Sequence, residues 1–164
     1  MKIILMNLLN VNKMDNKWKK TFMKIAYIIS EHSTCVRKQV GAILVKDKRI
    51  ISIGYNGVIS GKMHCCEIFK NIDLHSPEFY KKHGEWSANN EIHSEVNAII
   101  WAAKQGIKIK NSDIFITLSP CINCAKLLVQ SSIKNVYYNE IYDRDQSGIA
   151  FLKTNNINVE QIII

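Results

Sequence analysis

An α/β fold is predicted, a three-layer α/β/α sandwich around a mixed sheet of about five strands. Three observations carry it. A helical apolar period opens the chain, a β-hairpin follows, and the last third alternates helix with strand. With 164 residues, 47% of them hydrophobic and 22% charged, the chain has room for one domain with a real core. It lacks the composition of a disordered or linker-rich sequence. The domain is expected to span 15–164, after an N-terminal extension at 1–14.

The elements follow in order. The apolar run of residues 1–11 is broken by Asn7 and Asn10, and no small-residue cleavage site precedes the lysines of 13–20. It reads as a frayed extension, with Met14 as an alternative start, rather than a signal peptide. From Asp15, Trp18, Phe22, Ile25 and Ile29 recur at helical spacing with lysines opposite, and the helix ends near His32-Ser33. Val40–Val45, the charged turn Lys46–Arg49, and Ile50–Gly54 form a hairpin. Gly54-Tyr55-Asn56-Gly57 reads as a turn, because Asn-Gly favours positive φ.

Residues 58–92 show no sustained period. Such a stretch belongs in a compact domain only if it is functional or pinned by something. Beyond it, Glu95–Gln105 is a helix stopped by Gly106, and Asp113–Leu118 a strand. Pro120 opens a helix to about Gln130. Lys134–Tyr138, Ser147–Lys153 and Ile157–Val159 follow as strand, helix and strand.

The 22 Lys and Arg against 14 Asp and Glu leave a net charge of +8, but only Arg37, Arg49 and Arg144 are arginines. A diffuse lysine surface lacks the arginine forks that read bases or clamp a nucleic-acid backbone, yet it attracts small anions. Five cysteines are too few for a secreted disulfide scaffold and point to metal-binding or catalytic thiols in a reducing compartment. No segment reaches the length of a membrane span. The expected location is the cytoplasm, or the host cytoplasm for a viral chain, with no membrane and no nucleic acid among the partners.

Two short patterns carry chemistry. His93-Ser94-Glu95 and Pro120-Cys121-Ile122-Asn123-Cys124 each stand at a helix start. One imidazole and two thiolates make three zinc ligands and leave the fourth tetrahedral position open, as catalytic zinc requires. Cysteines at i and i+3 share one helical turn, where the helix dipole favours the thiolate. Glu95, two residues from His93, reaches the same pocket without binding the metal and is placed to move protons. His93 by itself is an ordinary polar residue at a helix start, and a lone Cys-x-x-Cys is equally a redox pair. The two patterns together are far more specific.

His-x-Glu with Pro-Cys-x-x-Cys is the signature of zinc-dependent nucleobase deaminases. Cys35 to Ala42, Gly54-Tyr55-Asn56-Gly57, Cys65-Cys66, Glu85-Trp86-Ser87 through His93, and Thr117 to Cys121 narrow the match. From about Ile25 to Val159 the chain resembles the dCMP deaminases of tailed phages, a branch of the zinc-dependent cytidine/deoxycytidylate deaminase family. The resemblance implies a cytidine deaminase-like fold and hydrolysis of dCMP to dUMP and ammonia, which supplies thymidylate synthesis. It implies a catalytic zinc on His93, Cys121 and Cys124, with Glu95 as proton shuttle. Arg37 falls at the family's phosphate-binding position, Asn56 at the deoxyribose, and Tyr142 over the substrate or, equally, in the core.

The resemblance also assigns Cys35, Cys65, His83 and Glu91 to a second, structural zinc that pins the insert 58–92, so that two zinc ions per chain are expected. Without metal the insert reads as too poor in apolar residues to order itself, and Cys66 as a buried spare. Relatives of this type form hexamers activated by dCTP and inhibited by dTTP with Mg²⁺. The corresponding candidates here are Gly54, Tyr55, Gly57, Trp101 and Lys104. The chain departs from the family at Ser94, where Ala is usual, and at Trp101 and Lys104, where Phe and Arg are common. Lys does not replace a bidentate Arg.

Three other readings remain open on the motifs: action on dCTP as well as dCMP, action on adenosine in tRNA, and a non-catalytic zinc module. The tRNA reading calls for a basic groove, and the module has no use for Glu95.

Overall fold

The computed structural model describes residues 14–143 and 145–164. The expected N-terminal extension therefore lies, except for Met14, outside the described residues. Helix α1 (Asn16–Ser30) starts at Asp15, whose side chain accepts a 2.9 Å hydrogen bond from the Trp18 N–H. Its buried stripe is Lys19, Phe22, Met23, Ala26 and Ser30, displaced by about a residue from the expected one, and Trp18 is exposed. Lys19 is the reason for the shift. Its Nζ reaches both carboxylate oxygens of Glu160 at 2.7 and 2.8 Å, so a partner 141 residues away makes burial of a cation tolerable. Hydropathy along one helix cannot register that partner.

Strands β1 (Gly41–Lys46) and β2 (Arg49–Tyr55) form the hairpin, with Asp47 and Lys48 at φ of 51° and 59° between them. Two successive left-handed residues give the turn whose twist matches antiparallel strands. A second pair, β3 (Gly57–Val58) and β4 (Glu91–Ile92), stands apart from the main sheet. Between them lie the single turn α2 (Cys65–Ile68) and helix α3 (Pro77–Asn90). Then come α4 (Ser94–Lys104), β5 (Asp113–Leu118), α5 (Ile122–Gln130), β6 (Asn135–Glu140), α6 (Ser147–Thr154) and β7 (Asn158–Gln161).

The main sheet has the order β2-β1-β5-β6-β7. β1 is antiparallel to β2 and β5, and β5, β6 and β7 are parallel. Alternation along β1 sends Ala42 and Leu44 to one face with Ala98, Leu128 and Leu152, and Ile43 and Val45 to the other with Phe22 and Met23. Helices α4, α5 and α6 thus cover one face and α1 the other. The predicted α/β class and mixed five-stranded sheet are the observed ones.

Five local expectations are corrected. The 58–92 segment holds a 14-residue helix, α3, begun by Ser76 accepting from the Phe79 N–H and by Pro77 in its first turn. Its fully buried residues are only Phe79 and His83, too short a stripe to show as a period when one member is histidine. The insert also has apolar substance of its own: Cys35, Cys65, Phe69 and Phe79 form a small core with Val36, Ile72 and Trp86. Cys66 is exposed, because one step of about 100° along α2 turns it away from buried Cys65.

Asn56 and Gly57 are absent from the positive-φ positions, and Gly57 opens β3 instead of completing a left-handed turn. The glycine that geometry requires is Gly54, where a Cβ would run into Ser94 O and Ala98 N of α4. Pro120 precedes the N-cap, Cys121, and lies outside α5. No helix of the described residues is long and apolar enough to cross a membrane.

Candidate active site and metal centres

Two helix starts converge on one point. His93 is the N-cap of α4 and Cys121 the N-cap of α5; neither side chain caps its own helix, so both are free to turn outward. Cys124 lies in the first turn of α5. His93 Nδ1 is 3.5 Å from Cys121 Sγ and 3.4 Å from Cys124 Sγ, and the three ligand atoms lie within 4.8 Å of one another.

The electrostatics suit a cation. The Cys124 thiol and the His93 ring lower the Cys121 thiol to about 4, while the Cys121 partner and burial push Cys124 up. His93 is raised to about 9, chiefly by Cys121. A divalent ion at this point would hold both sulfurs as thiolates. Glu95, 4% exposed, has its carboxyl raised by burial, and the wholly buried Ser94 donates from Oγ to its Oε2 at 3.0 Å.

Cys35 from the loop after α1, Cys65 from α2, His83 from α3 and Glu91 from β4 form a second cluster, their ligand atoms also within 4.8 Å. Cys35 Sγ is 3.4 Å from His83 Nε2, and the Val36 N–H donates to Cys65 Sγ at 3.5 Å. Cys65 lowers the Cys35 thiol to about 4 and is itself pushed up by Cys35. Ser87 Oγ donates to Glu91 Oε2 at 2.6 Å, and Glu91 Oε1 is buried without a hydrogen-bond partner among the described residues, as is His83 Nδ1. An orphaned carboxylate oxygen beside two sulfurs and an imidazole fits a tetrahedral zinc set.

Both clusters open on one cavity of about 210 Å³. Its lining includes His93, Glu95 and Cys121, with Cys35, His83 and Glu91, and also Arg37, Asn56 and Tyr142. Asn56 Oδ1 accepts from the Val40 N–H and its Nδ2 donates to Lys38 O, which fixes the chain entering β1. The Tyr142 N–H donates to Ser119 Oγ at 2.8 Å, which ties the segment after β6 to another residue of the cavity wall. Arg37 forms no ion pair among the described residues, whereas its neighbour Lys38 meets Glu140 at 3.4 Å.

None of Gly54, Tyr55, Gly57, Trp101 and Lys104 lines the cavity. Gly54 and Gly57 are buried, while Tyr55, Trp101 and Lys104 are exposed. Sequence reasoning missed three polar residues at the site: Lys38, Ser87 and Ser119. Lys38 adjoins Arg37 and could have been marked by that; the serines act through hydrogen bonds that no motif announces.

A five-stranded mixed sheet presenting His-x-Glu and Cys-x-x-Cys at adjoining helix starts defines a zinc-binding deaminase. Residues 16–140 match the model of the cytidine and deoxycytidylate deaminase zinc-binding region, and the chain belongs to that family. It is 38% identical over 155 residues to the deoxycytidylate deaminase of Enterobacteria phage T4, covering 78% of this chain and 80% of that protein. It is 36% identical over 146 residues to ComE operon protein 2 of Bacillus subtilis, covering 88% of this chain and 71% of that one. Among solved structures, the dCMP deaminase of cyanophage S-TIM5 in complex with dCMP and dUMP matches with a TM-score of 0.75 at 35% identity, over 91% of this chain and 99% of that one.

Proposed function

We propose that the chain catalyses hydrolytic deamination of dCMP to dUMP and ammonia. The observation that carries this is the buried carboxylate of Glu95 beside a three-donor set, at a cavity also lined by an arginine without an ion pair among the described residues. The phage relatives named above support the substrate.

His93, Cys121 and Cys124 would hold zinc, which supplies activation of water at neutral pH. Glu95 does the proton work. As water adds at C4 of the cytosine, Glu95 takes a proton and delivers one to N3. It then takes the hydroxyl proton of the tetrahedral carbon and passes it to the amine, which leaves as ammonia while the C4 carbonyl forms. Burial raises the Glu95 carboxyl above the ordinary carboxylate range, which makes it a better proton acceptor than an exposed glutamate. Arg37 meets the 5′-phosphate, Asn56 offers its remaining amide hydrogen to the deoxyribose, and Tyr142 covers the base.

Cys35, Cys65, His83 and Glu91 hold a second zinc, making two per chain. With four ligands that centre is closed and structural; it fastens the insert 58–92 within the one domain 15–164. The same reading includes dUMP supply for thymidylate synthesis in the cytoplasm. It also includes a homo-hexamer and control by dCTP and by dTTP with Mg²⁺, around Gly54, Tyr55, Gly57, Trp101 and Lys104. The exposed rings of Tyr55 and Trp101 support a contact on that side.

Ammonia release measured side by side on dCMP, dCTP, deoxycytidine and a tRNA anticodon stem tests the assignment. Preferred turnover of dCMP is expected. Comparable turnover of dCTP would make the enzyme bifunctional, and preference for the tRNA stem would overturn the reading.

A further inference from the structure

The cation expected to meet the phosphate leans on the insert. The Arg37 guanidinium carbon lies 5.5 Å from the centroid of the Tyr80 ring, and no carboxylate among the described residues pairs with it. Tyr80 stands on α3, three residues before His83, and Arg37 stands two residues after Cys35. Cys35 Sγ and His83 Nε2 are 3.4 Å apart, so the loop carrying Arg37 and the helix carrying Tyr80 are joined about one turn from the ring contact. The residue between, Val36, is tied through its N–H to Cys65 Sγ at 3.5 Å. The insert thus holds Arg37 at two places, its backbone at the four-donor cluster and its side chain on an aromatic face.

A guanidinium over an aromatic face is attracted by the ring and, having five N–H donors, still has enough for a planar bidentate acceptor. It is also ordered before the ligand arrives, which reduces the entropy lost on binding. We propose that Tyr80 is a positioning residue for Arg37 and thereby sets the preference for a nucleoside monophosphate over the bare nucleoside. The inference rests on the reading that Arg37 meets the phosphate. It gives the 35-residue insert a part in specificity, beyond closing a structural metal site.

The test compares the parent with Arg37→Ala, Tyr80→Leu and Tyr80→Phe. It measures kcat and KM on dCMP and deoxycytidine, and calorimetric Kd for dUMP and deoxyuridine as a readout free of turnover. Arg37→Ala should lower kcat/KM for dCMP on the order of 100-fold, the effect of losing a charge-assisted pair with phosphate. Tyr80→Leu should lower it about three- to ten-fold, in KM rather than kcat, and weaken dUMP by the same factor. Deoxycytidine and deoxyuridine should respond to neither change, and Tyr80→Phe should recover most of the loss because the ring is kept.

Equal losses on dCMP and deoxycytidine in Arg37→Ala would overturn the phosphate reading itself. A selective Arg37→Ala with a silent Tyr80→Leu would leave that reading standing and overturn the role of Tyr80. Equal losses on both substrates in Tyr80→Leu, or a Tyr80→Phe no better than the leucine variant, would also overturn it.

Discussion

Glu91 and His93 are separated by a single residue, yet each belongs to a different donor cluster. Ile92 between them pairs with Gly57 in the small sheet, and both flanking side chains face the same cavity, as residues i and i+2 of an extended segment do. The two proposed metal centres are therefore neighbours along the backbone as well as in space.

This adjacency shapes the metal prediction. Cys121→Ser should remove one zinc and the activity while circular dichroism stays near that of the parent. Cys65→Ser should remove the other zinc and expose 58–92 to early proteolytic cleavage, because metal binding offsets the entropy of ordering that segment. Part of the activity should survive, reduced through the Glu91–His93 link. Elemental analysis of the active parent is expected to give two zinc ions per chain; one would remove the second centre.

Glu95→Gln should retain zinc and fold and lose turnover. General acid–base groups contribute about 10²–10⁴-fold, and a carboxylate that serves several proton transfers belongs at the upper end. A purified Glu95→Gln enzyme within about threefold of the parent on dCMP would rule out the shuttle role.

Lys19 ties α1 to the edge strand β7 through Glu160. Breaking a buried pair from one side costs about 3–5 kcal/mol, but Glu160 is 34% exposed and can rehydrate, so Lys19→Ala should cost about 2 kcal/mol in urea unfolding. Glu160→Gln should cost less, since an amide oxygen still accepts from Nζ. Unchanged midpoints in both variants would mean that the pair contributes nothing.

Gly54→Ala places a methyl group against the backbone of the first turns of α4. Overpacking of this kind costs roughly 1–3 kcal/mol. Since α4 carries Glu95, kcat on dCMP should fall together with the thermal midpoint. A parental midpoint with parental kcat would show that β2 and α4 can separate freely.

The sequence alone was enough for the hairpin, the strand at 113–118 and the helix–strand alternation after residue 94, because period and turn chemistry are local properties. It was enough also for the chemical types at His93, Glu95, Cys121 and Cys124, since a short spacing at a helix start limits what the side chains can share. Resemblance, not spacing, grouped Cys35, Cys65, His83 and Glu91, which come from four separate segments. Only the tertiary structure decided that Lys19 is inside and Cys66 outside, that Gly54 is a packing glycine, and that α3 exists on a buried face of two residues. Only it put both donor clusters on one cavity and laid Arg37 on Tyr80. In each of these cases the deciding partner is remote in sequence, such as Glu160 for Lys19 or Ser94 and Ala98 for Gly54, and burial, charge pairing and steric exclusion act through space.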